Sequence, residues 1–330
     1  MSKKILKKIK RGFLLLLLLT ILLMVTPRLL GWISPEKPPV GYHFDALTYL
    51  AAGTGLEKLA DLNPEIPDDI EVFRDVEYKN VNGKSLQIDF YRPKNKQGPL
   101  PLIVFIHGGS WKSGNRSDYM VYLVSFAQKG YMTATISYRL LRDSIYPAAV
   151  ADVTDAVDWL YESGETYNYN PDRIALVGGS AGGHLAMLAG YGWKGTSRDS
   201  IVTEGLPAKR KIKALVNIYG PADLTTEYAR KQRLVNAFLG HSYDASPELY
   251  VEASPVHYLK PGLPPTMILH GTSDNLVPVS QSDTLKSRLD RLGVPCEYCR
   301  VPLWPHTMDM ALRVNRYTQK RMEEFFILYL

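Results

Sequence analysis

The chain has only two cysteines, Cys296 and Cys299, among 330 residues, so it cannot carry a disulfide framework. They form a C-x-x-C, but in Cys296-Glu-Tyr-Cys-Arg-Val, which reads as a strand rather than a helix start. Positions three apart on a strand face opposite sides, so two separate, mostly buried thiols fit better than a bridge or a shared metal. No His/Cys/Asp/Glu grouping has metal-ligand spacing, and no metal or organic cofactor is implied. Excess charge is also missing from most of the chain. The net charge is +6, but Lys3, Lys4, Lys7, Lys8, Lys10 and Arg11 supply six positive charges with no acid among them. Removing those six from the 39 Lys and Arg leaves 33, equal to the 33 Asp and Glu. The basic isoelectric point therefore reports a targeting segment and gives no reason to expect a nucleic-acid partner. Internal repeats are absent, and no low-complexity tract exists beyond one Leu run.

That run, Phe13 to Val25, is apolar except for Thr20 and comes after the basic flank. It suits a signal sequence of residues 1–33 that is either cleaved or kept as an anchor. Leu29, Leu30, Trp32 and Ile33 can extend it past Pro27 and Arg28 towards the roughly 20 residues a span needs. Neither a small-x-small cleavage site nor a lipidation cysteine comes after it, which tilts the reading to an uncleaved membrane anchor. Either form exports the rest of the chain, so an extracytoplasmic domain, secreted or anchored, is expected.

Residues 34–70 read as a linker that begins with Pro-rich Ser34-Pro-Glu-Lys-Pro-Pro and holds a short helix over Ala46–Leu62. From residue 71 to 330 the pattern is that of one α/β domain. Val72–Lys79 and Leu86–Tyr91 alternate around Asn82-Gly83, as an antiparallel pair does. Leu102–Ile106 is a continuous apolar run, as in a strand buried on both faces. Further strands at Tyr131–Tyr138, Arg173–Val177, Ile212–Tyr219, Thr266–His270 and Cys296–Val301 alternate with helical patterns, ending in a helix over Met310–Tyr329. This alternation predicts a mostly parallel sheet with helices on both faces. The stretch of approximately 223–264 is too long for a plain connection and predicts a small cap.

Chemistry concentrates at three places. Gly178-Gly-Ser-Ala-Gly182 follows an apolar strand and opens an apolar helix, the context that lifts a serine onto a tight turn and makes Ser180 the nucleophile candidate. His107-Gly-Gly-Ser-Trp111 follows the Leu102–Ile106 strand, so the N–H groups of Gly108 and Gly109, with that of Ala181, can form an oxyanion hole. His107 itself is expected to brace the loop. A serine needs a base, and the base needs an orienting acid. His306, in Trp304-Pro-His-Thr, is the last histidine in the chain and the base candidate. Asp274, after the Thr266–His270 strand, is the preferred acid; Asp223 is the runner-up, and His270 is read as structural. Trp111 and Tyr138 are candidate substrate contacts, and Tyr243 is a weaker one.

From about Val72 onward the chain resembles the α/β-hydrolase esterases that share the H-G-G-x-W motif, which include feruloyl and acetyl-xylan esterase-like proteins, relatives of hormone-sensitive lipase, and kynurenine formamidases. The resemblance rests on His107–Trp111, the run from Asp172 through Gly178-Gly-Ser-Ala-Gly-Gly-His-Leu-Ala186, Ala253-Ser-Pro255, His270–Pro278 and Pro305-His306. It implies an α/β-hydrolase fold, the set Ser180, Asp274 and His306, and hydrolysis of a small-molecule ester through an acyl-enzyme. Ser110 stands where lipase-like relatives often carry a third glycine. An amidase, formamidase or peptidase on the same residues stays open, as does a non-catalytic binding protein on this fold.

Overall fold

The computed structural model of the chain describes residues 3–33, 36–193 and 212–330. Ser34 and Pro35, where the Pro-rich stretch begins, lie outside the described residues, as does the side chain of Trp32.

Eight strands form one sheet in the order β1-β2-β4-β3-β5-β6-β7-β8. They are β1 (Ile70–Val81), β2 (Lys84–Pro93), β3 (Leu100–Ile106), β4 (Met132–Ile136), β5 (Tyr169–Gly179), β6 (Ala214–Ile218), β7 (Thr266–Gly271) and β8 (Cys296–Val301). Strand β2 runs antiparallel to both β1 and β4, and every later pairing is parallel. The β1–β2 hairpin turns at Asn82 and Gly83, both at positive φ (51° and 86°), which is the primed turn that an Asn-Gly pair favours.

The helices are α1 (Lys3–Ile33), α2 (Asp45–Gly53), α3 (Met120–Gln128), α4 (Ala148–Glu162), α5 (Gly164–Tyr167), α6 (Ala181–Tyr191), α7 (Glu227–Arg230), α8 (Arg233–Leu239), α9 (Pro247–Glu252), α10 (Ser280–Arg291) and α11 (Leu312–Tyr329). Strand β3 shows why the sheet is covered twice. Leu102, Val104 and Ile106 join the core that contains α4 and α6, while Ile103 and Phe105 join the core that contains α3 and α11. Helix α10 packs on the α6 side through Leu285 and Leu289. Cys296 sits against this α10 cluster and buried Cys299 in the α11 cluster, so the two thiols occupy opposite faces of β8 and remain free. The stretch over 223–264 folds into α7, α8, α9 and a 3-10 turn, Pro255–Tyr258, above the strand ends.

Two differences from the sequence-based expectation concern the N-terminal third. The helix expected over Ala46–Leu62 is shorter and stops at Gly53, because Gly53, Thr54 and Gly55 break it. The residues expected to form a linker are docked on the domain over much of their length. Buried Tyr42 packs edge-on to Trp304, Trp304 Nε1 donates to Pro39 O at 2.9 Å, Leu59 bridges Ala311, and Glu57 pairs with Arg313 at 2.8 Å. These partners lie some 250 residues away in sequence, where no local pattern can register them. Helix α1 runs through Pro27, is largely exposed, and is the one helix among the described residues long and apolar enough to cross a membrane.

Candidate active site

The site lies at the carboxyl ends of the parallel strands, where open α/β sheets form their crevices. Strand β5 ends at Gly179 and α6 starts at Ala181, so Ser180 takes the whole reversal, at φ 54° and ψ −124°. A non-glycine residue there is strained, and the surrounding chain must hold it. The glycines permit the packing that does so. A Cβ on Gly182 would stand 2.0 Å from the carbonyl oxygen of Ile106, so only glycine lets α6 approach the end of β3. The Ser180 N–H donates to Ile218 O at 2.9 Å, which ties the turn to β6.

Three separated segments converge on Ser180. Its Oγ is 3.0 Å from His306 Nε2, and His306 Nδ1 is 2.6 Å from Asp274 Oδ2. A carboxylate only accepts, so Nδ1 carries the proton and Nε2 is left to accept from the serine hydroxyl. Asp274 Oδ1 also accepts the backbone N–H groups of Leu276 (2.9 Å) and Val277 (2.8 Å). His270 Nε2 faces both Asp274 Oδ2 (3.2 Å) and Val277 O (2.9 Å), two acceptors, so it is protonated there while Nδ1 accepts from Ser282 Oγ at 2.7 Å. Burial on its own would raise the Asp274 carboxyl, but these hydrogen bonds, first from His270 and then from His306, hold it down at about 2. His270 therefore does more than end a strand: it donates to the same carboxylate oxygen as His306.

The backbone after β3 closes in from the other side. Gly108 lies against the turn, since a Cβ there would fall 3.4 Å from Ser180 Cβ and 2.8 Å from Gly179 O. Gly109 adopts φ 98°, where a Cβ would strike Ser113 O at 2.2 Å. Ala181 is the first residue of α6, so its N–H belongs to the unpaired first turn. His107 braces this loop: its ring stacks on Tyr138 (4.3 Å between centroids), and its Nδ1 lies 3.0 Å from Gly108 O. Burial lowers the His107 pKa, which favours the neutral ring.

The remaining expected residues separate. Trp111 lines a depression beside Ser180, stacked on Phe238 at 4.3 Å, with Nε1 donating to His184 Nδ1 at 3.3 Å. Tyr138 lines neither depression at Ser180; it is buried, and its hydroxyl donates to His107 O at 2.8 Å. Tyr243 packs in the cap, under the Arg230 guanidinium. Asp223 is engaged in the cap base, accepting from Thr225 N at 2.9 Å, and makes no bond to His306. Sequence reasoning gave His184 and Asp309 no role. His184, pushed down to about 4 by burial, joins Trp111 to Ala253 O (2.7 Å) and so couples the loop after β3 to the segment after α9. Asp309 accepts from Tyr219 (2.5 Å) and Tyr122 (3.0 Å), and the Tyr219 ring packs 4.6 Å from that of His306. Burial raises its carboxyl. An acid three residues after His306 was the only local signal for it.

Two depressions meet at Ser180. One is a narrow slot of about 40 Å³ walled by Trp111, Ala181, Leu224, Ala229 and Val235. The other is a cleft of about 360 Å³ that contains His306, Gly108, Gly109, Asp118, Tyr219 and Asp309.

An eight-stranded, mostly parallel sheet with a strained serine at the β5–α6 turn defines an α/β-hydrolase. Within that fold, residues 88–289 match the BD-FAE family model, and the chain belongs to that family. Among curated relatives it is 30% identical over 238 residues to a probable carboxylic ester hydrolase, LipM, of Mycobacterium tuberculosis, covering 69% of this chain and 54% of the relative. It is 31% identical over 234 residues to esterase LipC of the same organism, covering 68% and 57%. The chain thus spans about half the length of the curated relatives it matches. Among solved structures, the propionate-bound esterase Est2 of Thermogutta terrifontis superposes with a TM-score of 0.66 at 26% identity, over 80% of this chain and 95% of that one.

Proposed function

We propose that the protein is a serine carboxylic-ester hydrolase that works through an acyl-enzyme. The observation that carries this reading is the continuous hydrogen-bonded chain from Ser180 Oγ through His306 to Asp274. In this mechanism His306 Nε2 takes the hydroxyl proton as Ser180 Oγ attacks the ester carbonyl carbon. The N–H groups of Gly108, Gly109 and Ala181 receive the oxyanion as its charge develops. His306, now an imidazolium held beside the Asp274 carboxylate, passes the proton to the departing alkoxide oxygen. Water then attacks the acyl-enzyme with the same base, releasing the acid and restoring the serine.

The same geometry sorts the substrate's two halves. The alcohol oxygen must come within reach of His306, so the alcohol belongs in the cleft that contains His306, and the acyl group in the slot that does not. A slot of about 40 Å³ holds roughly three water-sized groups and suits acyl chains from acetyl to butyryl. The propionate held by the Thermogutta esterase agrees with that size. The cleft sets Asp118 and tyrosines among Leu62, Val121, Leu276 and Met310, which suits an alcohol with both polar and apolar parts. Helix α1 serves in this reading as an uncleaved anchor, with its basic end in the cytoplasm and the hydrolase outside.

The test is labelling of the full chain with a fluorophosphonate, followed by peptide mapping. Label on Ser180 that disappears in His306→Ala, together with turnover of p-nitrophenyl acetate, is the expected result. A folded protein that takes no label would overturn the proposal and bring forward a binding role on the same fold.

A further inference from the structure

Where α1 meets the domain, a groove of about 520 Å³ opens between the helix end, the segment after it and α11. Six cations line it: Arg28, Lys37, Lys58, Arg313, Arg316 and Lys320. Two are neutralised locally, Arg313 by buried Glu57 at 2.8 Å and Lys320 by Glu36 at 2.5 Å. Arg28, Lys37, Lys58 and Arg316 have no carboxylate partner among the described residues. Beyond its N-terminal basic cluster the chain carries equal numbers of basic and acidic residues, so this local excess is not a reflection of overall composition. Clustered like charges repel, and an anion bound between them relieves that repulsion.

The groove's position selects the anion. Its Arg28 and Gly31 sit at the carboxyl end of α1, where the helix's apolar stretch runs out. If α1 spans a membrane, this is the depth of lipid headgroups. Leu29, Leu30 and Ile33 are exposed on the same end of the helix, beside the groove, and can lie along acyl chains. Arg313 holds the assembly together, donating to Val40 O at 2.7 Å and, from the same nitrogen, to Pro27 O of α1 at 3.4 Å. We infer that the groove binds the phosphate headgroup of an anionic phospholipid and so seats the catalytic domain against the membrane surface. This rests on the anchor reading of α1 and not on the esterase reading.

The experiment uses the purified full chain in detergent and native mass spectrometry with phosphatidylglycerol or phosphatidylcholine of the same acyl chains. Preferential retention of phosphatidylglycerol is expected, with about a 25-fold loss in Lys58→Gln/Arg316→Gln, at roughly fivefold per cation. Lys260→Gln/Arg291→Gln, remote from the groove, should leave retention unchanged. Equal retention of the two lipids, or undiminished retention by the Lys58/Arg316 variant, overturns the lipid site. Displacement of phosphatidylglycerol by millimolar inorganic phosphate overturns the lipid source in favour of a free anion. Alkaline carbonate extraction of membranes from expressing cells separates the two readings. A chain released by carbonate removes the anchor and the lipid site together, whereas a retained chain without lipid preference removes the lipid site alone.

Discussion

The slot and the cleft meet at Ser110, Ser180 and Leu276 and differ in the rest of their walls. The slot's walls come from the start of α6, from Trp111, from the loops after β6 and β7 and from the helices α7 and α8; Trp111, Ala181, Leu224, Ala229 and Val235 among them are packed on the main core. The cleft's walls come mostly from α3 and the loops after β3, β6 and β8, and they set Asp118, Asp309, tyrosines and His306 among the apolar side chains of Leu62, Val121, Leu276 and Met310. Packed apolar walls resist a change of volume, because removing or adding a methylene costs on the order of 1 kcal/mol. The cleft is about nine times larger, at about 360 Å³ against about 40 Å³, and so accommodates varied shapes. The proposed enzyme should therefore be strict about acyl length and more permissive about the alcohol.

The largest test removes the atom the two sides share. Ser180→Ala should lower kcat by about a million-fold, with the circular dichroism of the native fold retained. Asp274→Asn should come next, losing about 10⁴-fold, because the amide stabilises the wrong His306 tautomer and not the imidazolium. The contrast itself is sharpened by Val235→Ala. By widening the slot it should raise kcat/KM for p-nitrophenyl hexanoate relative to butyrate by about tenfold, while leaving the ranking of alcohols at fixed acyl group unchanged. A shift in alcohol ranking instead would assign the two sides the other way round.

A pH titration separates stability from chemistry. The Asp274 carboxyl is depressed in the fold to about 2, below the ordinary value near 3.8. Its stabilisation, about 2 kcal/mol, is therefore fully present above pH 4 and is lost as pH falls towards 2. Urea melts between pH 5 and 2.5 should show that loss in the wild type and a smaller one in Asp274→Asn. The smallest expected effect is on the cleft side. Asp309→Asn should raise KM for esters of polar alcohols by a few-fold and leave kcat for a p-nitrophenyl ester nearly unchanged, measured by steady-state kinetics.

Much of the fold is legible in the sequence because its causes are local. Alternation, continuous apolar runs and an Asn-Gly turn reflect contacts between near neighbours, and they place the eight strands to within a few residues. The Gly178–Gly182 turn is likewise a local necessity, since a serine on so sharp a reversal needs glycine around it. Chain order then proposes Asp274 and His306 as partners of Ser180.

The order and kind of the elements, and the candidates for nucleophile, base and acid, follow from local sequence. Tertiary structure alone decided what those residues touch. That His270 donates to the oxygen of Asp274 which also receives His306, that Tyr138 holds the His107 loop and lines neither depression, and that residues 39–60 meet Trp304, Ala311 and Arg313 all depend on the folded chain. A hydrogen bond between residues 250 positions apart leaves no mark on the periodicity at either end, because periodicity records only which face of an element is buried and not what it is buried against.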